Sequence, residues 1–240
     1  MQSAQIVNSV QDRGFAIVEE VLDEQAVRSL IRAAESVRES DSSLRMRGGI
    51  FAVRNLLSVS PEIANLAQSE VVRKLVSPIL GADFLVVRGL LFDKVPEANW
   101  KVPWHQDVTI AVKAKVEAEG FGPWSKKSGV LHVQPPDSVL KSMISVRLHL
   151  DPCGEANGPL RVVPGSHSYG RIAEDLIPAH REKFSEYVCT VGRGGALLMR
   201  PLLLHASSPS QAAGHRRVIH LDFAAAQLPQ GIQWETELTA

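Results

Sequence analysis

The sequence predicts a mostly β fold of the α+β class, with helices packed against an antiparallel sheet system. The chain has 240 residues, of which 45% are hydrophobic, enough for one sizeable core. Helical patterns dominate the first third and short strand-like runs dominate the rest, which disfavours alternating β-α units. Gly and Pro separate the short runs, as is typical of a sandwich or a jelly roll.

The first third is predicted to contain one strand and three helices. Residues 14–18 form the strand, after a polar opening. Apolar residues recur at spacings of three and four in residues 24–38, and Asp23 can cap that helix. A second helix begins at residues 60–61, with proline in its first turn, and a third runs over about residues 69–80 before a glycine.

The remainder is predicted to be sheet. A long strand is expected at residues 84–95, and apolar and polar residues alternate at 143–150. The charged stretch 113–127 is expected to lie outside the sheets, and the tail from Pro229 to wrap the surface. Shorter strands are expected at 129–134, 160–167, 187–190, 196–199, 203–206 and 217–224. We therefore predict a single domain with a helix-rich part (1–82), a sheet core (about 83–225) and a tail (226–240).

Composition excludes several partners. Lys plus Arg equals Asp plus Glu at 26 each, which gives no electrostatic footprint for nucleic acid or an anionic membrane. No apolar run approaches the roughly 18 residues of a membrane span, and the N-terminus lacks a signal-peptide pattern. Cys153 and Cys189 are too few for a disulfide framework. We expect a cytoplasmic protein, a monomer or a weak homo-oligomer.

A metal site is predicted from three residues. His105 and Asp107 are two residues apart, so on an extended segment both point to one face, although a solvated pair would look the same. His205 follows an apolar run and could equally be a core histidine. Together, two imidazoles and one carboxylate form the facial triad of non-haem Fe(II) oxygenases. We predict that the three are the metal ligands and catalytic residues.

An oxygenase of this kind also needs a cation for the far carboxylate of a 2-oxo acid, and the planar fork of arginine suits it. Arg216 and Arg217 both follow His205. Arg217 shares its strand face with three apolar residues that should pack against the helices. Arg216 shares its face with His220 and Asp222, which suits a polar cavity. We therefore expect Arg216 to point inward; the alternative is that both arginines lie on the surface.

Four motifs in combination resemble the phytanoyl-CoA dioxygenase family of 2-oxoglutarate-dependent oxygenases, over about residues 14–223. They are Trp104-His105-Gln106-Asp107, Gly158-Pro159-Leu160-Arg161-Val162-Val163-Pro164-Gly165-Ser166-His167, His205-Ala206-Ser207 and Arg216. The resemblance implies a double-stranded β-helix, a cupin-like jelly roll, with the N-terminal helices on its larger sheet.

The resemblance also implies residue roles. The three triad residues would bind Fe(II), Arg216 would take the distal carboxylate of 2-oxoglutarate, Ser207 would add a hydroxyl, and Leu90 would lie along the cosubstrate. One position departs from the family pattern: Arg147 stands where the phytanoyl-CoA enzyme has a tryptophan. That places a second cation near the cosubstrate or the substrate. Coenzyme A recognition is not carried over.

The predicted reaction oxidises an unactivated C–H of a small organic molecule while 2-oxoglutarate and O₂ become succinate and CO₂. Related halogenases carry a small residue at the carboxylate position, so Asp107 favours hydroxylation or a related oxidation. Two alternatives stay open. One is a cupin-type metalloenzyme, an isomerase or a cosubstrate-free dioxygenase, which would not need Arg216. The other is a non-catalytic ligand-binding jelly roll.

Substrate contacts are predicted from polar and aromatic residues near the predicted pocket, each of which could instead lie on the surface. They are Arg54, Trp124, His132, Gln134, Arg147 and His220. Arg147 and His220 have inward strand parity. The several cations among the candidates indicate a small substrate that bears a carboxylate or a similarly polar group.

Overall fold

The computed structural model describes residues 3–40, 51–53, 55–95, 99–127, 129–211 and 214–239. Its helices are α1 (Ser3–Arg13), α2 (Glu24–Ser40), α3 (Leu56–Val59), α4 (Pro61–Ala67), α5 (Glu70–Leu80), α6 (Asp137–Lys141) and α7 (Ile177–Lys183). Its strands are β1 (Phe15–Val18), β2 (Phe51–Val53), β3 (Leu85–Lys94), β4 (Val102–His105), β5 (Ile110–Val112), β6 (Trp124–Lys127), β7 (Val130–Val133), β8 (Met143–His149), β9 (Leu160–Val162), β10 (Tyr187–Cys189), β11 (Ala196–Met199), β12 (His205–Ser207), β13 (Arg216–Ala224) and β14 (Leu238–Thr239).

The strands form three antiparallel sheets. The larger sheet has the order β1-β11-β8-β13-β3-β14, with β2 also pairing with β3. A four-stranded sheet has the order β10-β9-β12-β4, and a smaller one has the order β5-β7-β6. Side chains of the larger and the four-stranded sheet line one common cavity, so these two sheets face each other. This is the predicted jelly roll.

The helices of the N-terminal part cover the outer face of the larger sheet. Alternate residues of β8 and β13, among them Val146 and Leu221, share one buried cluster with Val10 of α1, Leu30 of α2 and Val72 of α5. This alternation leaves the other face of the same strands for polar residues. The packing of helices on the larger sheet therefore agrees with the prediction.

The predicted helix starts also agree with the structure. Asp23 Oδ1 accepts a hydrogen bond of 2.7 Å from the backbone N–H of Ala26. Ser60 and Ser69 cap α4 and α5 in the same way. Each cap satisfies one of the backbone N–H groups that a helix leaves unpaired at its first turn.

The polar opening was not predicted to be helical, yet it forms α1. Ile6 and Val10 are buried one turn apart, and the other side chains of the helix are largely polar. Only these two of its apolar residues are buried, and one such pair gives too weak a period to indicate a helix from sequence. Packing against the rest of the cluster stabilises it instead.

Two further expectations were wrong. Residues 113–127 are not wholly outside the sheets, because β6 pairs with β7. Its three charged or polar residues after Trp124 are exposed, as an edge strand allows. The tail does not simply wrap the surface: Ile232 and Trp234 are buried in a second cluster, and β14 pairs with β3.

Within the described ranges, none of the helices combines the length and the apolar character that crossing a membrane requires.

Candidate active site

The pairing of β4 with β12 brings two histidines side by side. His105 stands opposite His205 in the register, and their ring centroids are 4.2 Å apart. Asp107 lies just beyond the end of β4, so a loop places its carboxylate, rather than the strand alternation that the sequence suggested. Its oxygens are 3.9 Å from His105 Nε2 and 3.7 Å from His205 Nε2. One ligand atom from each residue lies within 4.8 Å of the other two.

Gln106 anchors the loop between the first histidine and Asp107. Its buried Nε2 donates hydrogen bonds of 2.6 Å to the carbonyl of Leu202 and 2.9 Å to that of Gly170. Its Oε1 accepts one of 2.7 Å from the N–H of Ile172. Both N–H donors and the oxygen of the amide therefore help to fix the loop that carries His105 and Asp107.

Backbone carbonyls fix the tautomers of both histidines. His105 Nδ1 lies 2.9 Å from the carbonyl oxygen of Pro103, and His205 Nδ1 lies 2.8 Å from that of Leu203. A carbonyl can only accept, so each Nδ1 carries the proton and each Nε2 presents a lone pair. Metal-binding histidines are commonly oriented in this way.

The charge state of the cluster also suits a metal. Burial lowers the pKa of His205 to about 4, despite the opposing effect of Asp107, so its imidazole is neutral near pH 7. Burial alone would raise the pKa of Asp107, but His205 and His105 outweigh it and keep that pKa below its ordinary value. Two imidazole nitrogens and one carboxylate oxygen form a donor set that fits Fe(II) and leaves coordination positions open.

The inner face of the larger sheet carries polar residues in register. Across β3, β13 and β8 we define three rows by their β13 residue. The Arg216 row contains Lys94; the His220 row contains Leu90 and Arg147; the Asp222 row contains Arg88 and Ser145. Phe92, Val218 and His149 lie between the first two rows. Successive residues point to opposite faces, so all these side chains face the interior of the jelly roll.

Two buried cations mark the Arg216 row. Arg216 donates to the carbonyl of Gly158, while its Nε is buried without a hydrogen-bond partner among the described residues. Lys94 Nζ donates hydrogen bonds of 3.1 Å to Ser207 Oγ and 2.7 Å to the carbonyl of Ser208. Burial, with a further effect from Arg216, lowers the pKa of Lys94 to about 7. An anionic ligand would compensate both buried cations.

The neighbouring Arg217 faces the other way, as parity predicts. It forms hydrogen bonds of 2.9 and 2.8 Å with the carboxylate of Asp151 and one of 3.0 Å with Glu35 of α2. These partners lie on the helix side of the sheet. Of the two consecutive arginines, only Arg216 lines the cavity.

A hydrogen-bond chain links the other two rows. Arg147 Nη1 donates to His220 Nδ1 at 2.9 Å, and His220 Nε2 then donates to Asp222 Oδ1 at 2.8 Å. Ser145 Oγ donates to the same oxygen at 2.6 Å. Burial would raise the pKa of Asp222, but His220, Arg88 and Ser145 together lower it to about 2. Burial lowers the pKa of Arg147 to about 10, so it stays charged near pH 7.

A cavity of about 330 Å³ joins the metal cluster to the three rows. This is at the lower end of the roughly 300–1,000 Å³ usual for small-molecule sites. Its lining includes the triad, Arg88, Leu90, Phe92, Lys94, Trp100, Arg147, Leu160, Ser207, Arg216 and His220.

The family model of phytanoyl-CoA dioxygenase (PhyH) matches residues 10–218. The chain belongs to the phytanoyl-CoA dioxygenase family. This confirms the predicted family and fold, and with them the predicted class of enzyme, an Fe(II)- and 2-oxoglutarate-dependent oxygenase.

Individual proteins similar to this family member agree with the family assignment. L-proline trans-4-hydroxylase from Streptomyces griseoviridis is 25% identical over 241 residues, covering 88% of this chain and 82% of the relative. The structure is similar to that of the non-haem α-ketoglutarate-dependent carbocyclase SnoK of nogalamycin biosynthesis, with a TM-score of 0.74, 17% identity, and coverage of 94% and 85%. It is also similar to EctD from S. alaskensis bound to 2-oxoglutarate and 5-hydroxyectoine, with a TM-score of 0.70, 18% identity, and coverage of 93% and 76%.

Other predicted substrate residues of this phytanoyl-CoA dioxygenase family member lie elsewhere. Trp124 packs against the buried cluster of the three-stranded sheet. His132 lines a separate cavity of about 60 Å³, which Arg88 also touches. Gln134 accepts a hydrogen bond of 3.1 Å from Arg171 and lines a second groove, which His105 also borders. Arg54 lies outside the described residues.

The sequence reasoning missed several lining residues, above all Lys94 and Arg88. A signal for both was present, because they share strand parity with Leu90, which was predicted to face the cosubstrate. Lysine and arginine are usually exposed, so their burial could not be assumed from composition.

Proposed function

We propose that this oxygenase hydroxylates, or otherwise oxidises, an unactivated C–H of a small molecule that bears a carboxylate. One observation carries the proposal: a single cavity joins the His105–Asp107–His205 cluster to the buried cations of the Arg216 row. The first can hold Fe(II) and the second can hold the far end of 2-oxoglutarate. When bound, iron supplies the oxidising chemistry with 2-oxoglutarate and O₂, which become succinate and CO₂.

The three metal ligands are proposed to act as a preset donor group. His105 and His205 would offer Nε2, because their Nδ1 atoms are committed to backbone carbonyls. Asp107 would offer one carboxylate oxygen. Retention of a carboxylate here supports oxidation of the substrate rather than halogenation.

The cosubstrate is proposed to lie across the inner face. Arg216 and the ammonium of Lys94 would bind its distal carboxylate, and Ser207 would add a hydroxyl. Leu90 would contact its carbon chain. Arg147 lines the same cavity as the metal ligands and lies in the His220 row, so we assign it to the keto-acid end of the cosubstrate. A cupin-type enzyme without a cosubstrate would have no use for the two buried cations.

The substrate is proposed to occupy the rest of the cavity, close to His220. L-proline, named in one relative, and 5-hydroxyectoine, bound in another, are both small. The cavity volume of about 330 Å³ supports a substrate of similar size.

We also propose a cytoplasmic location and a monomeric or weakly oligomeric state, as the composition of the sequence suggested. Cys153 and Cys189 are both free thiols, which is compatible with a reducing compartment.

Calorimetric titration of 2-oxoglutarate into Fe(II)-loaded protein without O₂ tests the proposal. We expect Arg216→Met to weaken binding by about 100-fold, near the upper limit for hydrogen bonds between charged groups, while Fe(II) binding is retained. Arg217→Met is the matched control, because its side chain faces the helices, and its affinity should stay near that of the wild type.

Succinate release with ascorbate and a panel of organic acids provides the second readout. If the wild-type protein neither bound 2-oxoglutarate nor released succinate, the oxygenase assignment would be abandoned. Equal cosubstrate affinity in the Arg216 and Arg217 variants would remove Arg216 from the proposed site.

A further inference from the structure

Arg88 is a partly buried cation at the opposite end of the cavity from Arg216. It lies on β3 in the Asp222 row and lines the same cavity as the metal cluster. Its side chain is 20% exposed. The proposed cosubstrate site does not use it.

The guanidinium of Arg88 has N–H donors that can bind a ligand. Within the part of the chain that the structure describes, its polar partner is Asp222, at 3.8 Å between Nη1 and Oδ2. That distance is too long for a hydrogen bond. Asp222 directs its other oxygen to Ser145 and His220 instead. Arginine has five N–H donors in a fork that matches a carboxylate, so most of this fork is available to a ligand.

Arg88 lies too far along β3 from Lys94 to bind the same 2-oxoglutarate molecule at its distal carboxylate. Arg88 and Lys94 are six residues apart on β3, about 20 Å along a strand that rises roughly 3.4 Å per residue. A five-carbon diacid is far shorter than this. The metal ligands His105, Asp107 and His205 line the cavity that also contacts Arg88 at one end and Lys94 at the other. A molecule held at Arg88 would therefore approach the metal from the side opposite to 2-oxoglutarate.

Charge balance favours an anion at this end. Five cationic side chains line the cavity, against the two carboxylates Asp107 and Asp222; they are Arg88, Lys94, Lys127, Arg147 and Arg216. A divalent metal and the dianion of 2-oxoglutarate cancel each other, so the excess of positive charge remains. Uncompensated charge in a partly buried site is unfavourable, and a substrate carboxylate would reduce it.

We propose that Arg88, oriented by Asp222, binds the carboxylate of the substrate, so that the enzyme acts on small organic acids held by their acid group. The inference rests on the proposed function and assigns the substrate end of that site. Arg88 thereby determines specificity, because a neutral analogue leaves its fork unpaired. The carbon that is oxidised lies between this carboxylate and the metal ligands.

Equilibrium binding to protein loaded with Fe(II) and 2-oxoglutarate, without O₂, tests this assignment. The probes are a panel of amino, hydroxy and cyclic carboxylic acids, each paired with its uncharged primary amide. We expect at least one acid to bind at least 10-fold more tightly than its amide. Arg88→Met should weaken the binding of that acid by about 10- to 100-fold, the range for charge-assisted hydrogen bonds. Arg88→Lys should weaken the binding of the same acid less than Arg88→Met, because lysine keeps the positive charge.

Two controls separate this inference from the proposed function. The Kd of 2-oxoglutarate should stay within about twofold of wild type in Arg88→Met, and the exposed-site variant Arg28→Met should leave both affinities unchanged. Failure of the wild-type protein to bind 2-oxoglutarate would count against the proposed function. The inference on Arg88 is overturned if 2-oxoglutarate binds but no acid outcompetes its amide. It is also overturned if Arg88→Met binds the acid as the wild type does.

Discussion

Protonation of Lys94 should couple cosubstrate binding to pH. The ammonium is the form that can bind a carboxylate, and the free protein lowers the pKa of Lys94 to about 7 by burial and by the nearby Arg216. Below pH 7 the cation is already present and binding of 2-oxoglutarate needs no proton. Above pH 7 the amine is neutral, so binding must take up a proton and the affinity falls as pH rises.

The size of the effect follows from the two protonation states. At pH 8 a group with a pKa of about 7 is roughly one-tenth protonated, and a carboxylate partner that raises the pKa by about two units or more brings it to about nine-tenths. Binding should then take up about 0.8 of a proton. The Kd should rise by up to about tenfold per pH unit above 7 until the pKa of the complex is reached.

Calorimetry in two buffers of different ionisation enthalpy, with Fe(II) saturating, measures this proton uptake. Lys94→Met should abolish the proton uptake at pH 8. At pH 6.5 it should weaken the binding of 2-oxoglutarate by about 10- to 100-fold. Lys115→Met, at an exposed lysine, is the matched control and should behave as the wild type. If Lys94→Met took up the same fraction of a proton as the wild type, the assignment of Lys94 to the cosubstrate carboxylate would be refuted.

Three further variants test the metal ligands and the contacts that support the fold around them. Asp107→Ala should weaken Fe(II) binding, as measured by metal titration. The loss should exceed the roughly 10- to 100-fold that is typical when a partner outside the ligand set is removed. Unchanged hydroxylation by this variant would contradict the role of Asp107 as a ligand. Arg217→Met should lower the free energy of unfolding by about 1–3 kcal/mol in urea, because Asp151 loses its main partner, without altering metal affinity. Gly158→Ala should destabilise the fold by at least about 1 kcal/mol, since Gly158 has a φ of +62° and a Cβ would collide with the Ser208 carbonyl; an unchanged thermal midpoint would contradict this.

The sequence was most informative where periodicity and chemistry coincide. Alternation on β13 separated Arg216 from Arg217, because the two faces of that strand contact a core and a cavity. The metal cluster was predicted from three residues whose types restrict the ion, although the loop that places Asp107 could not be read from spacing. The roles assigned to these residues stay predictions until they are tested.

Other features depended on contacts that no local pattern encodes. Trp234 is buried because the tail returns to cover a cluster formed far away in sequence. Lys94 has the same strand parity as Leu90, but its position beside Arg216 follows from the pairing of β3 with β13, which that parity does not specify. Trp124, predicted as a substrate contact, lies at the start of β6 and packs against the buried cluster of the three-stranded sheet, a contact that its charged surroundings in the sequence do not indicate.

Each histidine of the metal cluster is oriented by a carbonyl two residues before it in its own segment, at Pro103 and Leu203. Neither tautomer therefore depends on a side chain from the substrate side of the cavity. Residues such as Arg88 and His220 can then change without altering the orientation of the histidines. A jelly roll built in this way can acquire new substrates by substitution along the larger sheet while its metal chemistry stays the same.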